Sequence, residues 1–364
     1  MGNMSSPPPS QQWTPASTSA EQPPTHPVDL TATDTPPKVL RTLYRDMVCA
    51  RHLDEDAVAL QRQGVFPAYV PLRGQEAAQV GSAAAMDRAR DFAFPTYREM
   101  AVALTLGVDM IGYMASHRAL WHGGLYDPNR ARLAPINAVV GGPVPHAVGW
   151  ALGAQLDESQ GCALAYFGDG ASSEGDVHEA MNMAAVFQAP VVFVCQNNQW
   201  ALSVPNEQQV AGGSVAARAT GYGMPGHTVD GQDVVAMHTA TQAALARARA
   251  GDGPSLIEAR TYRMGPHSTS DDPRRYRDPE ADQRWAQADP ISRFHEALWQ
   301  AGHIDNRFAH ETTQRAQAMV TSVRTGVSST PPPTGEEMFT HVFSEPTEQL
   351  LRQQRTWRAE SELS

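Results

Sequence analysis

Two short polar clusters in this 364-residue chain have the residue types and spacing to do chemistry. One is Gly168-Asp169-Gly170; the other, one helix and one strand further on, is Gln196-Asn197-Asn198. Glycines let backbone N–H groups approach an anion, and a helix N-terminus favours phosphate there. Asp169 and Asn198 add two hard oxygen donors, a set that suits Mg2+ better than zinc. Together they read as a metal-bridged diphosphate site. Either cluster alone has a plainer reading, as a turn or as a strand exit, but the pair at opposite ends of one segment does not. A dinucleotide fingerprint would need a glycine where Ser173 stands, which disfavours a nicotinamide oxidoreductase. No G-x-x-x-x-G-K-[ST] pattern occurs, so a P-loop is excluded.

The elements that must position these clusters are legible from periodicity. "CALAYF" and "PVVFVC" are short apolar runs of the kind that form buried parallel strands, and "PSLIEARTYR" is a third. Between the first two lies a helix expected to begin under a Ser172 or Ser173 cap, with Glu174 and Asp176 in its first turn. Its apolar stripe would be Val177, Ala180, Met181, Ala184 and Phe187. In a right-handed β-α-β unit both polar clusters then lie at the carboxyl edge of the sheet, where open α/β folds bind ligands. "VLRTLYRDMVCARHLDEDAVALQRQG" predicts a helix ending near Gly64. "EAAQVGSAAAM", "GGPVPHAVGWALGAQL" and "DVVAMHTATQAALARARA" predict three more. The fold class is α/β, a mostly parallel central sheet with helices on both faces. Residues 1–37, rich in Pro, Ser, Thr and Gln, predict a disordered lead-in; 38–327 form the α/β domain; "SSTPPPT" opens a linker and C-terminal arm over 328–364.

Composition narrows the partners. A formal charge of −11 argues against a nucleic-acid partner, which would need a basic face. No apolar run approaches the length needed to span a bilayer, so no membrane partner is expected. The three cysteines, Cys49, Cys162 and Cys195, are widely spaced, and two sit in strand-like apolar runs, as buried free thiols in a reducing compartment would. The lead-in has neither the arginines of a transit peptide nor the apolar stretch of a secretory signal, so a bacterial cytoplasm is expected.

Several motifs occur in one order: "LYRDMV", "LQRQG", "GQEAAQVG", "FPTYRE", "FGDGASSEGD", "QNNQWALS", "TYRMGPHSTSDDPRRYR" and "FTHVFSEP". The Gly-Asp-Gly to Asn-Asn pattern resembles the thiamine-diphosphate motif. The series, from about Val39 to Gln353, resembles the alpha subunit of the decarboxylating component of 2-oxo acid dehydrogenase complexes. That resemblance implies a thiamine-diphosphate-binding fold. It implies Mg2+ held by Asp169, Asn198 and the Trp200 carbonyl, and a diphosphate cradled by Gly168, Gly170 and Ala171. Tyr97 and Arg98 would reach the phosphate oxygens. Backbone groups of Ala138 and Val140 would hold the aminopyrimidine, Leu202 would press the cofactor into its bent form, and His267 would be the catalytic residue beside the thiazolium. Phe66 and Tyr69, with Tyr97, would shape the substrate pocket.

Where relatives often carry a charge, Gln196 stands, so neutralising the diphosphate is expected to lean on Arg98, His267 and Mg2+. "DDPRRYRD" is by default a solvated loop; the resemblance makes it a loop over the site, ordered by its own Asp–Arg pairs and by cofactor. Ser268 and Ser270 match serines phosphorylated in mitochondrial relatives. His117, His122 and His146 lack metal-ligand spacing and are expected in ordinary polar contacts. The implied activity is oxidative decarboxylation of a 2-oxo acid with acyl transfer to a lipoyl group of an acyltransferase core. The implied assembly is an α2β2 heterotetramer whose beta subunit supplies the activating glutamate. "LDEDAVALQRQG", "GQEAAQVGSAAAM" and "GPHSTSDDPRRYR" resemble branched-chain enzymes more than pyruvate dehydrogenases, the alternative. Small Ala68 amid Phe66, Tyr69 and Val70 would leave room for a branched acyl chain. A cofactor-holding chain without catalysis is disfavoured by the intact Asp169, Asn198, Arg98 and His267.

Overall fold

A computed structural model of the protein describes residues 22–24, 26–31, 33–120, 124–340 and 342–361. Its centre is a parallel sheet built from β1 (Phe92–Phe94), β2 (Ala163–Gly168), β3 (Val191–Asn197), β6 (Gly226–Asp230) and β7 (Ser255–Arg260). The order across the sheet is β1-β2-β3-β7-β6. Two further short strands, β4 (Trp200–Ala201) and β5 (Val204–Pro205), form an antiparallel hairpin beyond Asn198.

Alternation along the central strands explains why their sequences are apolar throughout. Ala163, Ala165 and Phe167 of β2, with Val191, Phe193 and Cys195 of β3, face the helices Pro143–Leu156 and Gly175–Val186. Leu164, Tyr166, Val192, Val194 and Ile257 face the opposite layer, which includes Glu76–Ala84 and Val234–Arg249. Strands covered on both sides lose the polar half of the usual alternation. Each large side chain so buried stabilises the fold by about 1.5–3 kcal/mol. The expected α/β class with helices on both faces is therefore the observed one.

Two strands are absent from the sequence reading, β1 and β6, and both are sheet edges. "FAF" is too short to show a period, and "GHTVD" is polar because an edge strand is only partly covered. The helix after Gly-Asp-Gly also differs from expectation. A 3-10 turn occupies Gly170–Ser173, and the α-helix begins at Gly175 without a side-chain cap. Ser172 is spent on the turn, its hydroxyl donating to the Asp169 carbonyl at 2.6 Å. Phe187 lies past the end of the helix and is exposed rather than on the buried stripe.

The first helix, Pro37–Arg62, opens on proline and stops before Gly64, whose φ is +76°. It buries Leu40, Leu43, Met47, Leu53 and Leu60, and packs against the long Asn306–Ser329 helix. Of the expected disordered lead-in, residues 1–21 lie outside the described residues. Val28, however, is buried in the core, and the His26 carbonyl accepts a bond from Arg293 at 2.7 Å. Order thus begins upstream of residue 38. The C-terminal arm folds on itself: Phe339 packs at a tilt of 47° against Trp357, and Glu336 pairs with Arg358. No helix among the described residues is long and apolar enough to cross a membrane.

Helices Glu76–Ala84 and Val234–Arg249 meet at Gly81, where an added Cβ would lie 2.6 Å from the Val234 carbonyl and 2.8 Å from Met237 Cβ. Gly81→Val is expected to destabilise the chain by about 1–3 kcal/mol through overpacking. Denaturant unfolding checks this; an unchanged midpoint would show that the two helices can separate freely.

Candidate active site

Four strand ends converge on one cavity. Thr96, Tyr97 and Arg98 follow β1, Asp169 to Ala171 follow β2, Asn198 to Leu202 follow β3, and His267 follows β7. The register pairs Gly168 with Gln196, so Asp169 and Asn198 leave neighbouring strands side by side. The cavity holds about 340 Å³. Tyr97, Arg98, Val140, Gly168, Asp169, Gly170, Ala171, Asn198, Trp200, Leu202 and His267 all line it.

The oxygen donors fit a hard divalent cation. Asp169 is buried and its Oδ2 has no hydrogen-bond partner. Burial pushes its carboxyl up to about 6, a cost that a bound cation would reverse. The Asn198 amide is oriented by donating to Gln75 Oε1 at 3.3 Å, while its Oδ1 accepts from Trp200 N at 3.2 Å. The Trp200 carbonyl accepts from Arg263 at 3.1 Å. Both oxygens retain a lone pair. Among the described residues there is no cluster of three or more His, Cys, Asp or Glu suited to a metal. One carboxylate with two neutral oxygens leaves room for phosphate oxygens around Mg2+.

The cationic side of the cavity is Arg98. Its NH1 donates to the Pro71 carbonyl, its NH2 donates to the His267 carbonyl at 3.2 Å, and NH2 lies 3.3 Å from His267 Nδ1. An arginine can only donate, so Nδ1 accepts and the ring proton sits on Nε2. Burial, with the Arg98 and Arg263 cations, holds the imidazole down to about 4. His267 is therefore neutral at pH 7. A neutral ring offers hydrogen bonds to a neighbouring oxygen.

A second buried arginine shapes the wall. Arg263 is fully buried and donates to the Trp200 carbonyl, to the Leu202 carbonyl at 2.6 Å and to the Tyr276 hydroxyl at 2.9 Å. These bonds hold Leu202 at φ +54°, a left-handed backbone that costs a non-glycine residue about 1 kcal/mol or more. The loop after β7 is tied down by its own pairs. Asp271 accepts from the His267 amide and from Tyr276, and Arg277 pairs with Asp282 while donating to the Arg263 and Gly265 carbonyls. Of the two readings of "DDPRRYRD", the ordered one describes this loop, with the Asp272–Arg274 and Asp278–Arg284 pairs solvated.

Three expected positions lie elsewhere. Ala138 sits on an exposed loop and does not line the cavity, although its neighbours Val140 and Gly141 do. Phe66 and Tyr69 are buried and do not line the cavity, and the Tyr69 hydroxyl donates to Asp54 at 2.8 Å. Ala68 is exposed, which removes the argument that it opens the pocket. Among the other histidines, His117 packs against Phe66, Tyr69 and Tyr113. His146 lines a separate cavity, and His122 lies outside the described residues. The sequence reading missed Gln75, Glu99 and Arg263. All three stood inside quoted motifs, but nothing in their spacing shows that they are buried.

Arg263→Met removes the donors that tie the Trp200–Leu202 hairpin to the Tyr276 loop. We expect tryptic cleavage after Arg274 or Arg275 to accelerate several-fold while the overall fold persists. Cleavage at the wild-type rate would mean that the loop is ordered by other contacts.

The family model for the dehydrogenase E1 component matches residues 44–336. The 3-methyl-2-oxobutanoate dehydrogenase subunit alpha of Mycobacterium tuberculosis is 48% identical over 327 residues, covering 90% of this chain and 89% of that protein. The 2-oxoisovalerate dehydrogenase subunit alpha of Bacillus subtilis is 37% identical over 83% of this chain and 94% of its own length. A pyruvate dehydrogenase E1 component subunit alpha, from Acholeplasma laidlawii, is 37% identical over 87% of this chain and 92% of its own. With its Gly-Asp-Gly and Asn-Asn clusters meeting at the edge of a parallel sheet, this chain belongs to the dehydrogenase E1 component family, whose members are 2-oxo acid dehydrogenases.

Proposed function

We propose that this chain is the alpha subunit of a branched-chain 2-oxo acid dehydrogenase that binds thiamine diphosphate through Mg2+. It works with a beta subunit in an α2β2 heterotetramer and passes an acyl group to the lipoyl arm of an acyltransferase core in a bacterial cytoplasm. The observation that carries the reading is the unpartnered Asp169 Oδ2 in a cavity shared with Asn198, Trp200 and Arg98. Identity of 48% over 90% of the chain to a protein named for a branched-chain acid supports the substrate class.

Bound thiamine diphosphate supplies the electron sink that decarboxylation of a 2-oxo acid requires. The chain's own residues do the rest. Asp169 Oδ2, Asn198 Oδ1 and the Trp200 carbonyl would hold the cation. The backbone of Gly168, Gly170 and Ala171 would receive the diphosphate, with Tyr97 and Arg98 at its oxygens. Ala138, absent from the cavity wall, is left with Val140 as the main-chain contact to a ring. Leu202 stands half-exposed at the mouth, where its side chain can set the cofactor's shape. His267, neutral with its proton on Nε2, can hold or deliver a proton to a substrate oxygen. Val140 is exposed at the cavity, Val139 and Val204 are exposed close to lining residues in the chain, and Met183, Val186 and Phe187 are exposed on the Gly175–Val186 helix and just past its end. Apolar surface of this kind suits a partner subunit that covers it.

Asp169→Ala and Asn198→Ala are each expected to abolish calorimetric binding of thiamine diphosphate with Mg2+ while leaving the fold intact, since neither belongs to the packed strands. His267→Ala should instead keep most of the affinity and lose turnover. Unchanged affinity in both cavity-floor variants would defeat the site as drawn.

Reconstituted with its beta subunit, the chain is expected to use 2-oxoisovalerate, 2-oxoisocaproate and 2-oxo-3-methylvalerate with higher kcat/KM than pyruvate, and to be inactive alone. Each methylene discriminates by only about 1–3 kcal/mol, so some use of pyruvate is expected. Competition between substrates in a dye-reduction assay reads this directly; a preference for pyruvate would favour the acetyl-transferring alternative.

A further inference from the structure

One side of the cavity is formed by a closed polar ring, of which Thr96, Glu99 and Gln196 line the cavity. Gln79, Glu99 and Gln196 are buried, each no more than 2% exposed, and all three point into one another. Gln79 Oε1 accepts from the Ala101 amide at 3.2 Å, and its Nε2 donates to the Arg98 carbonyl at 3.1 Å and to Gln196 Oε1 at 2.9 Å. Gln196 Nε2 donates to Glu99 Oε1 at 2.6 Å. Glu99 Oε2 accepts from both the amide and the hydroxyl of Thr96, at 2.5 Å each. The Thr96 hydroxyl in turn accepts from the Arg98 amide at 3.3 Å.

The direction of every bond follows from the backbone. Ala101 N can only donate, so Gln79 must turn its oxygen to it and its nitrogen to Gln196. Gln196 must then present its oxygen to Gln79 and its nitrogen to Glu99. Thr96 N can also only donate, so residue 99 must accept on both oxygens. A carboxylate meets that demand and an amide cannot. A buried anion is costly unless its environment requires it; here the three donors and the Arg98 cation oppose the effect of burial on its pKa. The bonds fasten the Thr96, Tyr97 and Arg98 turn, which delivers Tyr97 and Arg98 to the cavity, to Gln196 at the end of β3.

We infer that Glu99 is a positioning residue for the cofactor: its carboxylate, oriented by Gln79 and Gln196, locks the Thr96–Arg98 turn so that the Arg98 guanidinium meets the diphosphate. This rests on the proposed function, because it takes Arg98 to be a phosphate ligand. Glu99→Gln places an amide nitrogen against either Gln196 Nε2 or Thr96 N, and so breaks the ring. Exchanging both residues mends it. When Glu99→Gln is combined with Gln196→Glu, the new amide at position 99 accepts from Thr96 and donates to the new carboxylate at position 196. The other oxygen of that carboxylate still accepts from Gln79. Every bond and the net charge are kept.

The test uses the full chain co-expressed with its beta subunit. It reads thiamine diphosphate affinity by calorimetry at fixed Mg2+, kcat at saturating cofactor, and Tm. Glu99→Gln is expected to weaken affinity roughly ten- to a hundredfold with a much smaller change in kcat, the cost of one unsatisfied buried donor. The exchange variant is expected to return to within about threefold of wild type. Thr96→Val, which removes the hydroxyl's bond to Glu99 and its long bond from the Arg98 amide but keeps the Thr96 amide donor, should weaken affinity less and serves if Glu99→Gln does not fold. A merely structural role would lower Tm without changing the affinity of the folded protein. Wild-type affinity in Glu99→Gln and Thr96→Val, or an exchange variant no better than the single, overturns the inference while leaving the proposed function standing. A wild-type enzyme that binds no thiamine diphosphate overturns both.

Discussion

The parallel pairing of Gly168 with Gln196 is the constraint on which the site depends. It places Asp169 and Asn198 at the ends of adjacent strands, past the last ladder bonds, where neither backbone is committed to the sheet. Everything else at the cavity is arranged about that pair. A shift of one residue in this register would turn Phe167 and Cys195 out of their layer as well as moving the two oxygen donors apart. The apolar packing that stabilises the strands is thus the same packing that holds the chemistry in place. Handedness contributes too. β1 to β2 and β2 to β3 run one way across the sheet, and the helices that lead directly into β2 and β3, Pro143–Leu156 and Gly175–Val186, lie on one face; β6 to β7 runs back with its helix on the other. Four strand ends are thereby gathered on one edge.

Positive charge inside the wall is organised mainly by carbonyl oxygens; of its three arginines only Arg277 also pairs with a carboxylate, that of Asp282. Arg98 is anchored on the carbonyls of Pro71 and His267, Arg263 on those of Trp200 and Leu202, and Arg277 on those of Arg263 and Gly265. Burial pulls Arg263 down to about 10, still well above neutral pH, so it stays a cation. Carbonyl acceptors satisfy the guanidinium without cancelling its charge, which leaves the field in the cavity positive. That field and burial keep His267 neutral and would favour an anionic diphosphate in the same space. The loop over the site and the cavity's electrostatics are consequently one system: the arginines that tie the loop down are those that set the potential.

The negative groups are placed with equal economy. Both Asp169 and Glu99 line the cavity, but Asp169 keeps an open oxygen whereas both oxygens of Glu99 are filled. One carboxylate is left to a cation and the other is consumed in holding Arg98's turn. Their different roles follow from hydrogen bonding, since both are buried to a similar degree.

Much of this was legible in the chain itself. The β2–helix–β3 unit and the helices around Glu76–Ala84 and Pro143–Leu156 follow from apolar runs and glycine turns, which are local properties; of the residues that line the cavity, Gly168, Asp169, Gly170 and Asn198 follow from type and spacing, and seven more from the family resemblance. The edge strands β1 and β6 were not: three buried residues are too few for β1 to show a period, and partial cover leaves β6 no apolar signature. Ser172, Phe187 and the lead-in were misjudged for a related reason. A cap, a stripe and a boundary are settled by what packs nearby, and Val28 is ordered only because a core exists for it to enter. Phe66 and Tyr69 share a motif with the site yet lie behind it, while Glu99 and Arg263 share motifs with the site and build it. Local sequence determined which residues could bind a metal and a diphosphate. Only the tertiary structure decided which of them are buried, which bonds they must accept or donate, and therefore which remain free to act.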